Sequence, residues 1–346
     1  MTTLLLSGLA VTAAVCASLT AAVIPLLRRA RVIDVPGDRS LHKTPVPRGG
    51  GLAIVLSASL ATWATVLAAV HRHDTVHSLT GLGLALMGLA TVLAFALLGL
   101  IEDLFSVSVR TRLVLQLVLG AGLGLMAHSA FEVSLWWTPA ICVGTAALVN
   151  ATNFMDGANG LACGHALLTS LWYVQVAILA PVPGLGLVMV SVAGACLGFL
   201  PFNTPRAKVF LGDSGSYALG SAWAFAVTAC LSRGVAVEAA LAPVLVLLAD
   251  TGYTLWMRLR AGQCWYAPHR LHVYQRLVCA GWPHWASALL VTLAAAACSA
   301  LAASSLLTSN RLWMPQLAMA AVLILYLKMP SIIGAPNPFP TLRRAR

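Results

Sequence analysis

Charge is scarce in this chain: Asp, Glu, Lys and Arg make up 9% of its 346 residues, and 60% are hydrophobic. Soluble domains carry about 25% charged residues, so a water-soluble globular domain is excluded. Acids are the rarest of all, 10 against 21 basic residues. No CxxC pair occurs among the eight cysteines, which lie scattered in apolar segments. Disulfide and zinc frameworks are therefore not indicated, and inert packing is expected of them. No long polar linker, low-complexity tract or sequence repeat breaks the chain, so one domain over residues 1–346 is expected. The first apolar segment lacks the basic stretch that opens a signal peptide and ends in "RRAR", which reads as a retained helix.

Long apolar runs fill the rest, with a mean hydropathy of +0.88. Runs of roughly 17–25 apolar residues can cross a bilayer as helices. Candidates fall at 3–27, 49–70, 80–101, 113–129, 133–149, 161–180, 183–200, 214–232, 235–257, 284–306 and 313–329. The expected fold is all-α, a polytopic transmembrane bundle of about eleven helices, ten or twelve being the alternatives. Placing 28–48, 102–112, 150–160, 201–213, 258–283 and the tail from 328 on one side leaves only Arg72, Arg233 and Arg311 of the 21 basic residues opposite. The positive-inside rule makes the rich side cytoplasmic, with the N-terminus outside and the C-terminus inside. The formal charge of +11 then reflects topology and contact with anionic membrane lipids. Nucleic-acid binding is not needed to explain it.

On this topology the acids gather at one surface. Asp34, Asp38, Glu102, Asp103, Asp156 and Asp213 sit in cytoplasmic loops or helix ends, and Asp250 about two turns inside its helix. A transporter more often carries polar groups on broken helices near the midplane. A one-sided layer of carboxylates suits a reaction between a soluble molecule and a lipid head group.

Four stretches carry that chemistry. "GLIEDLFSVSVRTRL" puts Glu102 and Asp103 where a helix leaves the bilayer, followed by Arg112, which can hold phosphate oxygens; a solvated helix end is the plainer reading. "NATNFMDGANG" reads as a loop offering Asn150, Asn153, Asp156 and Asn159. One of them could be a helix N-cap, but capping needs one residue and the loop has four. "PFNTPRAKVFLGDSGS" adds Asn203, Phe210 and Asp213. Phe210 could stack on a base or belong to an interfacial belt, and Asp213 could cap a helix or hold Mg²⁺ against phosphate oxygens. "APHRLHVYQRL" supplies His269, Arg270, His272 and Arg276, a poor zinc site but a good cradle for a diphosphate. The loop "DVPGDRSLHKTPVPRGGG" adds Lys43 and Arg48, read equally as a lipid contact or a substrate contact.

Taken in order, "TPVPRGG", "GLIEDLF", "NATNFMDGANGLA", "FNTPRAKVFLGDSGS" and "PHRLHVYQRL" resemble the polyprenyl-phosphate N-acetylhexosamine-1-phosphate transferases. These are relatives of phospho-N-acetylmuramoyl-pentapeptide transferase. The "PHR-x-H-x-YQRL" form looks most like the O-antigen and lipid-carrier branch. The resemblance implies a bacterial inner-membrane enzyme with its active site facing the cytoplasm. It also implies Mg²⁺ (with Mn²⁺ as a substitute), a UDP-N-acetylhexosamine donor, undecaprenyl phosphate as acceptor, and a homodimer. By motif position Asp213 would hold the metal with Asp103 beside it, and Phe210 would stack on uracil. Asn150, Asn153, Asp156, Asn159 and Asn203 would surround the nucleotide and sugar. Glu102 and Asp103 would face the polyprenyl phosphate, with His269 and His272 as catalytic partners. Lys43, Arg112, Arg270 and Arg276 would bind phosphates. Two positions depart from the family pattern: Glu102 replaces the first of its paired aspartates, and Asn159 the second acid of "DGxDG".

The expected reaction is in-line attack of a lipid phosphate oxygen on the β-phosphorus of the UDP-sugar. A muramoyl-pentapeptide-type transferase and a non-enzymatic transporter of lipid-linked sugars are the alternatives, Asp250 being the one acid that hints at a path through the bundle.

Overall fold

The computed structural model describes residues 2–37, 41–42, 44–71, 79–180, 182–264, 266–267, 269–307 and 313–336. Lys43, most of the "HRHDTVH" loop and the last ten residues lie outside the described residues. The elements run α1 (Thr2–Arg29), β1 (Ile33–Asp34), β2 (Val46–Pro47), α2 (Gly51–His71), α3 (Leu79–Phe105), α4 (Val109–Phe131), α5 (Thr138–Phe154), α6 (Leu161–Leu179), α7 (Leu185–Asn203) and α8 (Gly212–Ser232). They continue with α9 (Val237–Leu241), α10 (Leu245–Arg260), α11 (Val273–Cys279), α12 (His284–Ala302), α13 (Ser304–Leu307) and α14 (Met314–Ile332). Each of the eleven expected spans corresponds to helix. Among the described residues nine helical stretches are long and apolar enough to cross a membrane; the other two expected spans are the 17-residue α5 and α8, which opens on a polar Gly-Asp-Ser-Gly-Ser run. The chain is a multi-pass membrane protein.

Three boundaries differ from expectation, each for a local reason. The span expected from 133 starts at 138, because Glu132 ends α4 at a left-handed φ of 57° and Pro139 opens α5. The α5 helix then runs on to Phe154, so Asn150 and Asn153, expected in a loop, occupy its last turn on one face. The run 235–257 is not one helix: it breaks at Ala242–Val244, a single 3₁₀ turn holding Pro243. Backbone groups freed inside a bilayer need partners, and α6 supplies them. Trp172 Nε1 donates to the Ala239 carbonyl at 2.9 Å, Tyr173 Oη to that of Ala240 at 2.8 Å, and His165 Nε2 lies 2.7 Å from that of Pro243.

The centre of the bundle is α8, buried along nearly its whole length and packed most closely on α3. Lipid offers little hydrophobic drive for helices to associate, so close approach through small residues does the work. A Cβ on Gly99 of α3 would stand 2.2 Å from the Asp213 carbonyl oxygen, and one on Gly51 of α2 2.3 Å from Gly215 Cα. These glycines press two helices onto the first turn of α8. Gly99→Ala is therefore expected to lower stability by about 1–3 kcal/mol through overpacking. Gly83→Ala, where a Cβ meets nothing within 4 Å, is the control. Thermal unfolding in detergent checks both; equal midpoints for the two variants would contradict this packing.

Candidate active site

The site is assembled at one end of the bundle from the C-terminal ends of α3, α5 and α7 and the N-terminal ends of α2, α8 and α12. The segment leading into α2 runs beside the one leading into α8. Phe210 N–H donates to the Pro47 carbonyl (2.8 Å), Gly50 N–H to that of Phe210 (2.9 Å) and Gly51 N–H to that of Leu211 (2.8 Å). This pairing carries Arg48 to the start of α8.

There the carboxylate of Asp103 caps α8. Oδ1 accepts from the Asp213 N–H at 3.0 Å and Oδ2 from the Ser214 N–H at 2.9 Å. A negative charge at this end of a helix is favoured by the exposed amides and the dipole. The Arg48 guanidinium spans two acids: Nε lies 3.0 Å from Asp103 Oδ1 and Nη2 2.9 Å from Asp213 Oδ1. Asn153 Nδ2 donates to the same Asp213 oxygen (2.8 Å) and to Ser216 Oγ (3.0 Å). Among the described residues no hydrogen bond is made to Asp213 Oδ2. Expected as a metal ligand and catalytic group, Asp103 has both oxygens engaged in anchoring α8. Asp213 keeps an oxygen for a ligand.

Two cavities meet here, sharing Asn153 and Gln275 as a partition. The first, about 260 Å³, contains Arg48, Asp156, Asp213, Asn203, Asn159 and Phe210 in its lining. Phe210 is half-buried and meets the His42 ring edge-on at a centroid distance of 4.8 Å. Burial, and then the nearby Asp213 charge, lift the Asp156 carboxyl well above the usual carboxylate range. Burial lowers the Arg48 guanidinium, but Asp213, Asp103 and Asp34 outweigh it and raise it above its ordinary value. Two carboxylates on one cavity favour a cation there.

The second cavity, about 430 Å³, is walled by apolar side chains such as Leu113, Phe154 and Leu255, and presents Arg112, Asn150, His269 and His272. Burial, then His272 and Arg258, push His269 down to about 4, so at neutral pH it is an uncharged donor or acceptor. His272 is held by Asp250, whose Oδ1 lies 3.0 Å from Nδ1. Asp250 is fully buried and also accepts from Tyr326 Oη (2.7 Å), Thr254 Oγ1 (3.2 Å) and Val273 N–H (3.1 Å). Since Nδ1 faces a carboxylate, it carries the proton and leaves Nε2 for a ligand.

Other expected site residues have different tasks. Glu102 lines neither cavity: Oε1 accepts from Arg112 Nη1 at 2.9 Å and Oε2 from the Val107 N–H at 2.7 Å, which fixes the turn between α3 and α4. Asn203 joins two loops, accepting from the Gly160 N–H (2.8 Å) and donating to the Val209 carbonyl (3.0 Å). Asn159 Nδ2 donates to the Pro205 carbonyl at 3.2 Å. Asn150 Nδ2 donates to Gln116 Oε1 at 2.5 Å. Arg276 donates from Nη2 to the Pro336 carbonyl (3.2 Å), and neither it nor Arg270 is among the residues lining these two cavities. Sequence reasoning assigned Arg48 no role beyond a lipid or substrate contact and Asp250 none beyond a hint of a transport path; the structure places Arg48 and Gln275 in the cavity linings and Asp250 behind His272. Asp250 did carry a signal, a carboxylate inside an apolar helix.

Among the described residues no three His, Cys, Asp or Glu side chains form a ready metal cage. Mg²⁺ does not require one, since it commonly takes one or two carboxylates and completes its shell with water and substrate phosphates. The buried Asp213 and the half-buried Asp156, which line one cavity, fit that pattern.

Residues 85–231 match the family model "Glycosyl transferase family 4". The chain is 32% identical over 307 residues to the decaprenyl-phosphate N-acetylglucosaminephosphotransferase of Mycobacterium leprae (strain TN), spanning 78% of this chain and 75% of the relative. It is 27% identical over 292 residues to the probable undecaprenyl-phosphate N-acetylglucosaminyl 1-phosphate transferase of Bacillus subtilis (strain 168), spanning 78% and 77%. A phospho-N-acetylmuramoyl-pentapeptide-transferase of Desulforamulus reducens is 31% identical over 231 residues, spanning 58% and 66%. The polytopic bundle with carboxylates gathered at one end defines a membrane-embedded sugar-phosphate transferase. The chain belongs to glycosyl transferase family 4.

Proposed function

We propose that the protein transfers an N-acetylhexosamine-1-phosphate, N-acetylglucosamine-1-phosphate in the first instance, from its UDP-sugar to undecaprenyl or another polyprenyl phosphate. The observation that carries this reading is the meeting of an acidic cavity bearing an aromatic ring with an apolar-walled cavity bearing basic side chains. The first suits a nucleoside diphosphate with a cation; the second suits a lipid phosphate. The basic loops argue that this end faces the cytoplasm of a bacterial inner membrane. Initiation of a cell-surface polysaccharide such as O-antigen fits this product.

In the proposed reaction an acceptor phosphate oxygen, held between Arg112 and His272 Nε2, bonds to the donor's β-phosphorus. The bond to the bridging oxygen breaks, and UMP leaves with that oxygen and its electron pair. Mg²⁺, held by Asp213 and Asp156, would neutralise charge on the diphosphate, and Mn²⁺ would substitute for it. Asn153, which lines both cavities, keeps Asp213 oriented through its amide. Phosphoryl transfer of this kind depends on positioning and electrostatics more than on covalent chemistry. Alkyl phosphates have a second pKa near 6, so much of the acceptor is dianionic at neutral pH and no dedicated base is needed.

The muramoyl-pentapeptide reading is less favoured, since those relatives align with a smaller share of the chain. A transporter is disfavoured because the one acid suggesting a path, Asp250, is enclosed by Tyr326, Thr254 and His272. A panel of UDP-sugars with undecaprenyl phosphate, scored by the mass of the lipid product, tests the proposal. UDP-N-acetylglucosamine is expected to be converted at least about 100-fold faster than UDP-muramoyl-pentapeptide, in line with a site that rejects a mismatched polar group. Preference for the pentapeptide donor would overturn the reading.

A further inference from the structure

Arg48 stands where the proposed cation has to work. One guanidinium joins Asp103 of α3 to Asp213 of α8, with contacts of 3.0 and 2.9 Å. Its side chain is 38% exposed, and it lines the acidic cavity together with Asp156. Asp213 Oδ1 is thus shared by Arg48 and by the Asn153 amide. A divalent cation approaching Asp213 meets a fixed positive charge a few ångströms away, and the two repel. Each can hold Asp213 fully only at the other's expense.

The two contacts of Arg48 are not equivalent. Nε binds Asp103, whose oxygens are fixed by the amides of Asp213 and Ser214. Nη2 binds Asp213, the carboxylate that keeps an oxygen for a ligand. If the Asp213 contact opens, the guanidinium stays tethered through Nε and its outer edge is redirected into the same cavity. There a planar fork of donors matches the oxygens of a phosphate.

We propose that Arg48 is a resident counter-ion, displaced from Asp213 when a divalent cation arrives and then turned onto the diphosphate of the incoming nucleotide. The proposal rests on the phosphotransferase reading and adds a coupling to it. Without nucleotide, Arg48 weakens cation binding; with nucleotide, the displaced guanidinium gains a new anionic partner, so cation and donor bind cooperatively. Linkage requires the effect to be reciprocal.

The test is Mn²⁺ binding to purified protein in detergent, followed by the electron paramagnetic resonance of free Mn²⁺, with and without UDP and with no lipid acceptor present. For the unaltered protein, weak Mn²⁺ binding is expected, tightening by about tenfold or more when UDP is added, the usual range of coupling between two sites. In Arg48→Gln the Mn²⁺ affinity without UDP should rise by roughly tenfold, because a like charge has been removed from the site. The tightening by UDP should shrink, and sugar-phosphate transfer should fall. Affinity and turnover then move in opposite directions, which a merely structural role would not produce. Arg48→Lys keeps the charge but cannot fork across both acids; the same two trends, smaller, are expected, and it is read in the same way if Arg48→Gln fails to fold. Unchanged or weaker Mn²⁺ binding in the folded variant overturns the proposal. Asp213→Asn separates the two levels: it should abolish Mn²⁺ binding, and if it does not, the placement of the cation itself is wrong whatever Arg48 does.

Discussion

Asp213→Asn should reduce sugar-phosphate transfer by about 10²–10³-fold or more, the loss typical when one preorganised electrostatic contact to the reacting charge is removed. Asparagine keeps the size of the side chain and can still accept from Asn153, so helix α8 should stay in place. The lost property is charge: two anions must meet, and Asp213 is the best-placed carboxylate for the cation between them. Its contact with Arg48 would weaken as well, which adds to the loss. UMP release by protein in detergent, with the thermal midpoint measured alongside, checks the effect. Near-normal turnover in a folded Asp213→Asn variant would remove Asp213 from the chemistry.

The second large effect is expected at Asp250. Its carboxylate is wholly buried and serves His272, Val273, Thr254 and Tyr326 at once, joining α10, α11 and α14. Asp250→Ala leaves several buried donors without an acceptor, and breaking a buried pair of this kind costs about 3–5 kcal/mol. His272 would also lose the partner that fixes its proton on Nδ1. Stability and turnover should therefore fall together. Tyr326→Phe removes one hydroxyl from the network and should cost only about 1 kcal/mol, with turnover nearly kept. Thermal unfolding of both variants, with kcat and KM determined separately, distinguishes them. If Tyr326→Phe proved as damaging as Asp250→Ala, the network would be serving helix α14 and not His272.

The helices were legible in the sequence because spanning length and hydropathy are local properties. The 3₁₀ break at Ala242–Val244 was less so, since a single proline in an apolar run does not show that Trp172, Tyr173 and His165 stand ready to satisfy the opened carbonyls. The concentration of acids at one surface was readable from charge alone. The division of labour among them was not. Glu102 and Asp103 are neighbours in sequence, but Glu102 turns to Arg112 and the Val107 amide, whereas Asp103 reaches across 110 positions to the amides of α8. Arg48 looked like one charge in a basic loop because its meaning depends on two carboxylates brought in by α3 and α8. Asn203 and Asn159 were grouped with ligand-binding residues by composition; their hydrogen bonds show that they also tie the surrounding loops together.

The central claim is that one phosphate attacks another, so the donor must be cut between its two phosphorus atoms. Purified protein in lipid nanodiscs, given undecaprenyl phosphate, UDP-N-acetylglucosamine and Mg²⁺, can be quenched and its nucleotide product identified by mass. The account predicts UMP, formed in equal amount with a lipid diphosphate sugar and dependent on Mg²⁺. UDP in place of UMP, with a lipid monophosphate sugar, would mean attack at the sugar carbon and would contradict it.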